Sequence, residues 1–347
     1  MSMNHILRQH VASVESHDAP VMMAPSNEEL YSEFRAALEE FLEVQDTAVH
    51  VIEAIDHLEN VDAAADQIQA DGDVTEQVVA VHMDAVNEVR AILDEDPMEA
   101  ISMESLTALE AMAYRVSVES KGIMSKAWDG LVAFIKKIIA AVGNLIKKVN
   151  PWSKSRKETV KAVVAEVKSG ESSIVVPEET PAAMKEVAKA VEVVVVHDKD
   201  ILAKMEALLK DGDVAKYADD IKAYMDQTDA VEKIKGQIAK LDEFMTSGET
   251  VNIDDIPTLD LISNNMARVM EELAGSKDTE ANMTKANKLL YMAEDLAGKE
   301  GSNQEAIREA TRVIMRVVES SGKVESTRTQ VCNKAASKKK PKKKGKK

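Results

Sequence analysis

The sequence predicts an all-α protein, and three observations support this fold class. Apolar residues recur every three or four positions through most of the 347 residues, which places them on one face of a helix. Aromatic residues make up only 3%, and the abundant Ala, Val, Glu, Lys, Leu and Met form helical rather than alternating patterns. Short polar separators, such as Asp211-Gly212-Asp213, favour antiparallel packing of neighbouring helices. A single cysteine, Cys332, excludes an internal disulfide framework.

Charge divides the chain after Glu119. Residues 1–119, the acidic region, contain 26 acidic residues, four arginines and no lysine, so their net charge is −22. Residues 120–347, the body, carry a net charge of +5. An asymmetry of this size indicates parts with different environments or fates. The predicted regions are an acidic helical propeptide (1–119), a basic amphipathic helix (120–153), a helical bundle (154–333) and a disordered polylysine tail (334–347).

The acidic region has helical patterns of its own. Residues 28–60 carry apolar side chains at the spacing of a long amphipathic helix. Asp71-Gly72-Asp73 interrupts this pattern, a second helix is predicted for 74–93, and a third runs from about 102 towards 116. The acidic region is therefore predicted to be a small helical unit.

Residues 122–149 are predicted to form a basic amphipathic helix that ends at Asn150-Pro151. The apolar residues of interest are Trp128, Leu131, Phe134, Ile135 and Ile138. Two interpretations of this helix stay open. It either seals the core of the bundle, or it lies on a membrane surface with Trp128 and Phe134 in the lipid interface.

The remaining helices are predicted at 157–168, 181–196, 198–210, 214–226, 230–244, 259–273, 280–296 and 303–319. Residues 193–196 could instead form a strand, although their flanks have helical patterns. The tail at 334–347 contains nine lysines. Disorder is predicted there, because repelling lysines cannot bury a core.

Motifs for catalysis and cofactor binding are absent from the sequence. Six of the seven histidines lie before Glu119, and His197 follows it without a second cluster of metal ligands. Neither a glycine-rich phosphate loop nor a nucleophile elbow is present. We therefore expect no enzyme activity and no cofactor. We also expect no secretory signal peptide and no membrane span, since no apolar run reaches about 18 residues.

A short motif, Ser-x-Glu-Ser, recurs along the chain. Ser117-Val118-Glu119-Ser120 stands where the charge changes. Further copies are Ser13-Val14-Glu15-Ser16, Ser102-Met103-Glu104-Ser105 and Ser169-Gly170-Glu171-Ser172. This number exceeds what the composition predicts by chance. The alternative explanation is that Ser and Glu are simply good capping partners in a helical protein.

These sites resemble the Ser-x-Glu sites that the prohead proteases of giant tailed bacteriophages of the phiKZ type cut. An acidic helical leader that ends in such a site, followed by a lysine-rich helical body, is similar to the internal head proteins of those viruses. The resemblance implies that the leader directs packaging into the procapsid and is removed during maturation. It implies Ser117, Val118 and Glu119 as the recognition triplet and Ser120 as the mature N-terminus. Ser102-Met103-Glu104 and Ser13-Val14-Glu15 would be additional cuts in the leader.

Two further triplets lie within the body, at Ser169-Gly170-Glu171 and Ser247-Gly248-Glu249. Helical packing could shield them, or glycine before the glutamate could fit the protease poorly. The third alternative is that the body is also divided. The number of cuts therefore stays open.

The predicted function is that of an internal head protein, which is packaged with the genome and in one scenario ejected into the host. Removal of the acidic region would change the net charge from −17 to +5 and relieve repulsion from DNA. The predicted phosphate contacts are Lys338, Lys339, Lys340, Lys342, Lys343, Lys344, Lys346 and Lys347. Nuclear localisation or solubility is the competing role for these lysines.

The expected partners are a prohead protease, capsid or scaffold proteins that bind the leader, DNA, and, in the membrane interpretation, a lipid surface. The expected location is the host cytoplasm during assembly and the inside of the virion afterwards. Two alternative functions remain. One is a membrane-active effector that uses 122–149 and is held inactive by the acidic leader. The other is a helical scaffold or DNA-compaction protein that is never cut.

Overall fold

A computed structural model describes residues 27–71, 75–92, 96–98, 106–226, 228–275, 277–299 and 301–342. It confirms the all-α class, since nine helices and one two-stranded sheet make up the described part of the chain. In chain order the elements are α1 (Asn27–Asp71), α2 (Glu76–Ile92), α3 (Leu106–Lys168), β1 (Ser172–Ile174), α4 (Thr180–Asp211), α5 (Val214–Met225), α6 (Thr228–Ser247), α7 (Ile256–Gly275), α8 (Asp278–Ala297), α9 (Gln304–Ser337) and β2 (Lys339–Pro341).

Helix α3 is 63 residues long and crosses both Glu119 and Pro151. The predicted helix end at Pro151 is therefore wrong, as is the separate helix at 157–168, and the boundary after residue 153 lies inside one helix. Proline lacks the N–H that would bond to the carbonyl of Lys147, four residues earlier. Pro151 and Lys147 are both exposed, so water can hydrogen-bond to that carbonyl.

Aromatic packing supports α3 immediately after the proline. Trp152 is 2% exposed, and its ring centroid lies 4.2 Å from that of Phe34 and 5.3 Å from that of Tyr31, both on α1. Aromatic rings at such separations attract each other beyond the effect of burial alone. These contacts hold α3 against α1 beside the residue that would otherwise favour a helix end.

Two other helices are longer than their sequence patterns indicate. Helix α4 joins the predicted helices 181–196 and 198–210, so residues 193–196 are helical rather than a strand. Helix α9 continues to Ser337, well beyond the predicted end at 319. In each helix polar residues are buried where the predicted helix ends: Asp198 is 2% exposed in α4, and Glu319, Ser320 and Ser321 are at most 7% exposed in α9. A pattern built from apolar residues ends at such a position.

Helix α1 packs against both α3 and α9 and runs antiparallel to both. Lys148 of α3 donates to Glu33 at 2.8 Å, and Asn144 donates to Glu40 at 2.9 Å. Residue numbers thus increase along α1 as they decrease along α3. The corresponding pairs with α9 are Gln45 with Glu319 and Glu59 with Arg308. The acidic region is therefore built into the helical body rather than appended to it.

The buried apolar side chains form two clusters. The first core combines α1 and α2 with residues 112–152 of α3 and parts of α4, α5, α8 and α9, and includes Phe34. The second core combines residues 160–167 of α3 with β1 and parts of α4, α6, α7 and α9, and includes Met266. The first core thus contains residues from both sides of Glu119, whereas the second core contains only residues that follow it.

A group of buried polar side chains lies between the two cores, and we call it the polar belt. Along α3 it falls between Trp152 and Val160, and along α4 it falls between Val195 and Ile201. Its members are Arg156, Asp198, Tyr224, Thr279, Asn282, Ser321, Glu325, Arg328 and Thr329. Helices α3, α4 and α9 pass through this belt and contribute to both cores.

Hydrogen bonds within the polar belt compensate for burial. Arg156 donates to Glu325 at 2.5 Å and to Thr329 at 3.0 Å, and Arg328 donates to Glu325 at 2.9 Å. Burial alone would raise the pKa of Glu325, but the charges of Arg156 and Arg328 lower it below its usual value. The Glu325 carboxylate is therefore ionised and paired inside the protein.

The prediction of disorder for 334–347 is wrong for residues 334–342. Helix α9 continues to Ser337, and β2 pairs antiparallel with β1, with Lys339 opposite Ile174. The N–H of Lys342 also donates to the carbonyl of Glu171 at 2.9 Å. Ile174 is fully buried in the second core, so the segment that follows α9 is held to the protein by its strand partner. Residues 343–347 lie outside the described residues.

Candidate processing site and nucleic-acid contacts

The predicted recognition triplet lies within α3, because Ser117, Val118, Glu119 and Ser120 all belong to this helix. Glu119 accepts a hydrogen bond from Arg90 of α2 at 3.2 Å, and its side chain is 38% exposed. A protease that binds its substrate as an extended strand cannot accept a helix. The bond after Glu119 is therefore cut only where α3 opens locally or before it forms.

Other copies of the motif have different surroundings. Ser13, Glu15, Ser102 and Glu104 lie outside the described residues. At the end of α3, Gly170 adopts a φ of +74°, a left-handed conformation that suits glycine at a helix C-terminus. The N–H of Glu171 donates to the carbonyl of Glu166, and its own carbonyl accepts from Lys342 of β2. Both sides of the Glu171 copy are therefore fixed by backbone hydrogen bonds.

The copy at Ser247-Gly248-Glu249 lies where regular structure ends. Ser247 is the last residue of α6, and Glu249 is exposed in the connection to α7. Gly248 is closely packed, because a Cβ atom there would lie 2.6 Å from Pro177. Because Glu249 itself is exposed and lies outside helix and strand, a protease reaches it with less unfolding than Glu119, although Gly248 must first leave Pro177.

Apolar and charged contacts join the acidic region to the body. The apolar side chains that α1 buries completely or almost completely include Phe34, Phe41, Ile52, Ile55 and Leu58. Arg308 of α9 forms a bidentate pair with Glu59 at 2.6 and 2.7 Å, and Arg312 donates to Asp56 at 2.7 Å. Bidentate arginine–carboxylate pairs are the stronger kind of ion pair. Part of the negative charge of α1 is therefore neutralised by arginines of the body.

The residues predicted to form an apolar helix face are core residues. Leu131, Ile135 and Ile138 are fully buried in the first core, and Trp128 and Phe134 are partly buried against it. This burial supports the core interpretation while the acidic region is in place. A membrane surface could reach these side chains only after the first core opened.

Three of the lysines predicted to bind DNA have partners inside the protein. Lys339 pairs with Glu166 at 2.7 Å, Lys342 pairs with Asp260 at 2.5 Å, and Lys338 donates to the carbonyl of Met245 at 3.2 Å. The hydrogen bonds from Lys339 and Ser172 hold the pKa of Glu166 below its usual value. Lys340 is exposed on β2. The remaining predicted contacts, Lys343, Lys344, Lys346 and Lys347, lie outside the described residues.

Asp198 is a buried carboxyl group that the sequence pattern did not single out as a site. Burial raises its pKa to about 7, although Tyr224 and Ser321 donate hydrogen bonds to it. The ring of His197 stacks on that of Tyr224 at 5.1 Å, and burial lowers the pKa of His197. The sequence signal for this site is a His-Asp pair that interrupts an apolar run.

Metal clusters, membrane-spanning helices and clefts can each be assessed in the described part of the chain. No group of three His, Cys, Asp or Glu side chains there could hold a metal ion. The described helices include none long and apolar enough to cross a membrane. A cleft of about 560 Å³ beside α4 is bordered by Lys185, Lys189, Glu192 and Glu272, a mixture of charges that does not define one ligand. Comparison of the chain with known protein families, curated proteins and solved structures found no match.

Proposed function

We propose that this chain is an internal head protein of a tailed bacteriophage, packaged with the genome and cut after Glu119 during head maturation. The observation that carries the proposal is the position of Ser117-Val118-Glu119-Ser120, which separates a region of net charge −22 from one of +5. Loss of the acidic region converts an acidic protein into a basic one. A basic protein is attracted to the phosphates of packaged DNA.

The conformation of the motif supports a cut that depends on assembly. Glu119 lies inside α3 and is held by Arg90, so the folded chain resists cleavage there until the helix opens. Encounter with a capsid or scaffold partner through the acidic region is one event that could open it. The acidic region is then both the packaging signal and the segment that maturation removes.

Mass spectrometry of protein from purified particles tests this proposal. We expect a semi-specific peptide that begins at Ser120, together with depletion of peptides from 27–119. The variant Glu119→Gln should block this cut, whereas Glu88→Gln, which is not part of a Ser-x-Glu triplet, should be processed normally. Full-length protein in mature particles would contradict processing and support the uncut scaffold or DNA-compaction alternative.

A second candidate function follows from the burial of the 122–149 segment. Leu131, Ile135 and Ile138 are buried in the core to which α1 contributes, so removal of the acidic region would expose part of this apolar face of a lysine-bearing helix. Such a face binds anionic membrane surfaces. Dye leakage from anionic vesicles by the separated body, but not by the intact chain, would support a membrane-active effector. Equal behaviour of the two forms would contradict it.

A further inference from the structure

A row of lysines follows the solvent-facing side of α3. Lys136, Lys147, Lys154, Lys161 and Lys168 are all exposed. Steps of eleven and seven residues keep these positions within an arc of about 60° on a helix of 3.6 residues per turn. At a rise of about 1.5 Å per residue the row is about 48 Å long. We call these five residues the lysine row.

Helix α3 itself carries few exposed acidic residues along the row. Within residues 131–168, which the structure describes throughout, Glu158 is the one exposed acidic residue. The other exposed residues of this stretch are Lys137, Asn150, Pro151 and alanines. The lysine row therefore forms an extended positive surface on an acidic protein.

The central lysines of the row are not used by the fold. Lys136 lies 4.0 Å from Glu294, and Lys168 pairs with Glu271 at 3.0 Å. In contrast, Lys147, Lys154 and Lys161 form no ion pair or hydrogen bond through their side chains with any described residue. Their positions are about 10.5 Å apart along the helix axis.

We propose that the lysine row binds the phosphate backbone of double-stranded DNA. DNA complements the charge of the row, because a duplex carries about one negative charge per 1.7 Å of its axis. Every lysine of the row can therefore meet a phosphate. This inference rests on the proposed function, because it names the surface through which the packaged protein meets the genome. It moves the contact away from β2 and its neighbours, where Lys338, Lys339 and Lys342 already bond within the protein.

Carboxylates of the acidic region border one edge of the row. Glu33 pairs with Lys148 at 2.8 Å, and Glu40 accepts from Asn144 at 2.9 Å, so α1 places both acids beside the segment that carries Lys147. These carboxylates would repel the phosphates of DNA bound to the row, because charges within about 10 Å of each other are only partly screened by salt. Cleavage after Glu119 and loss of α1 would remove both carboxylates, whereas Glu158, Glu271 and Glu294 of the body would remain near the row.

Fluorescence anisotropy with a 30-base-pair DNA duplex, titrated with the intact protein at several salt concentrations, tests the row. The test variant is Lys147→Gln/Lys154→Gln/Lys161→Gln. The matched control is Lys185→Gln/Lys222→Gln/Lys240→Gln, which removes the same charge from exposed positions outside the row. A third protein ends at Lys342 and so lacks residues 343–347.

We expect the row variant to lose roughly tenfold or more in affinity at low salt, and its slope of log K against log salt to fall by about 3. The control triple should retain most of the affinity. Equal losses in both triples would overturn the proposal, because only net charge would then matter. Binding that is lost on deletion of 343–347 but unchanged in the row variant would also overturn it. So would a row variant that loses its binding to anionic vesicles but keeps its binding to the duplex.

Substitution of the two carboxylates that border the row should change the DNA affinity in the opposite direction. Glu33→Gln/Glu40→Gln should strengthen DNA binding several-fold, whereas Glu43→Gln/Glu53→Gln, a matched pair of exposed acids on the same helix, should change it less. Equal effects of the two pairs would overturn the masking role. These measurements are independent of the Ser120 peptide in particles: intact DNA binding by the row variant refutes the row alone, and an absent Ser120 peptide refutes processing alone.

Discussion

The first core and the second core differ in their dependence on the acidic region. Helix α1 supplies a layer of buried side chains to the first core, including Phe34 and Ile52. The second core, with Met266 and Met270, is built entirely from residues after Glu119. A cut after Glu119 therefore separates the covalent chain inside one core and leaves the other core untouched. Charge marks the boundary of the proposed processing, but the buried first core extends across it.

The largest expected effect comes from producing residues 120–347 alone. Five α1 side chains buried at about 2 kcal/mol each contribute about 10 kcal/mol, comparable with the total stability of a domain. We expect hydrogen exchange to become fast in 123–149 while α7 stays protected. The control is residues 27–347, in which both segments should be protected. Equal protection of 123–149 in both proteins would show that the first core does not need α1.

A single aromatic substitution should affect the two cores unequally. Trp152→Ala removes the ring that packs on Phe34 and Tyr31, and such a change costs about 3–5 kcal/mol. We expect a lower urea midpoint for the first core and faster exchange in α1 than in α7. Trp152→Phe keeps an aromatic contact and should cost less. An unchanged midpoint for the alanine variant would mean that α3 needs no support beside Pro151.

A pH titration examines the belt that joins the cores. The pKa of Asp198 is about 7 in the folded protein and near its usual value of 3.8 when unfolded. The folded form therefore binds more protons between these values, and stability falls as pH rises from about 4 to 7. Asp198→Asn keeps an acceptor for Tyr224 but cannot ionise. We expect the free energy of unfolding of the variant, relative to that of the wild type, to rise by about 1.4 kcal/mol per pH unit within this window. Urea unfolding at each pH measures this difference. Parallel curves would contradict the raised pKa.

The smallest expected effect concerns the bond after Glu119. Arg90→Gln removes the partly exposed ion pair with Glu119 and the hydrogen bond from Arg90 to the carbonyl of Asp96. Loss of the ion pair costs about 0.5 kcal/mol, so the open population of α3 near Glu119 should rise about twofold. A glutamate-specific protease should cut this variant about twice as fast at Glu119, with cleavage at Glu249 as internal standard. Arg35→Gln, whose partner Glu39 is distant from this bond in sequence, is the control. In every variant Glu249 should be cut before Glu119, and the reverse order would contradict the local-opening requirement.

The sequence predicts the helices well where one apolar face decides them. The helices at 259–273 and 280–296 agree with α7 and α8 to within three residues at each end. The apolar pattern divides a long helix into two where a residue of another kind interrupts it. In α3 this residue is a proline on the exposed side, and in α4 it is a buried polar residue, Asp198. Patterns of apolar residues cannot show that a carboxyl group is buried against a tyrosine from a different helix.

Composition located the candidate processing site but not its surroundings. The charge boundary and the serine and glutamate residues identify Glu119 without a structure. That Arg90 holds this residue, and that α1 lies against α3, depends on contacts between residues far apart in the chain. The same holds for residues 334–342. A run of lysines by itself favours disorder, but the pairing of Lys339 with Glu166, a residue far away in the chain, opposes it.

The polar belt has a consequence for how the long helices can move. A slip of α9 by one turn, about 5.4 Å, would carry Glu325 away from both of its arginine partners. Leaving a buried charge without its partner costs about 3–5 kcal/mol, whereas apolar surfaces can exchange neighbours more cheaply. We therefore expect α1 to separate sideways from the other helices, while the buried pairing of Arg156 with Glu325 keeps α3 and α9 in axial alignment.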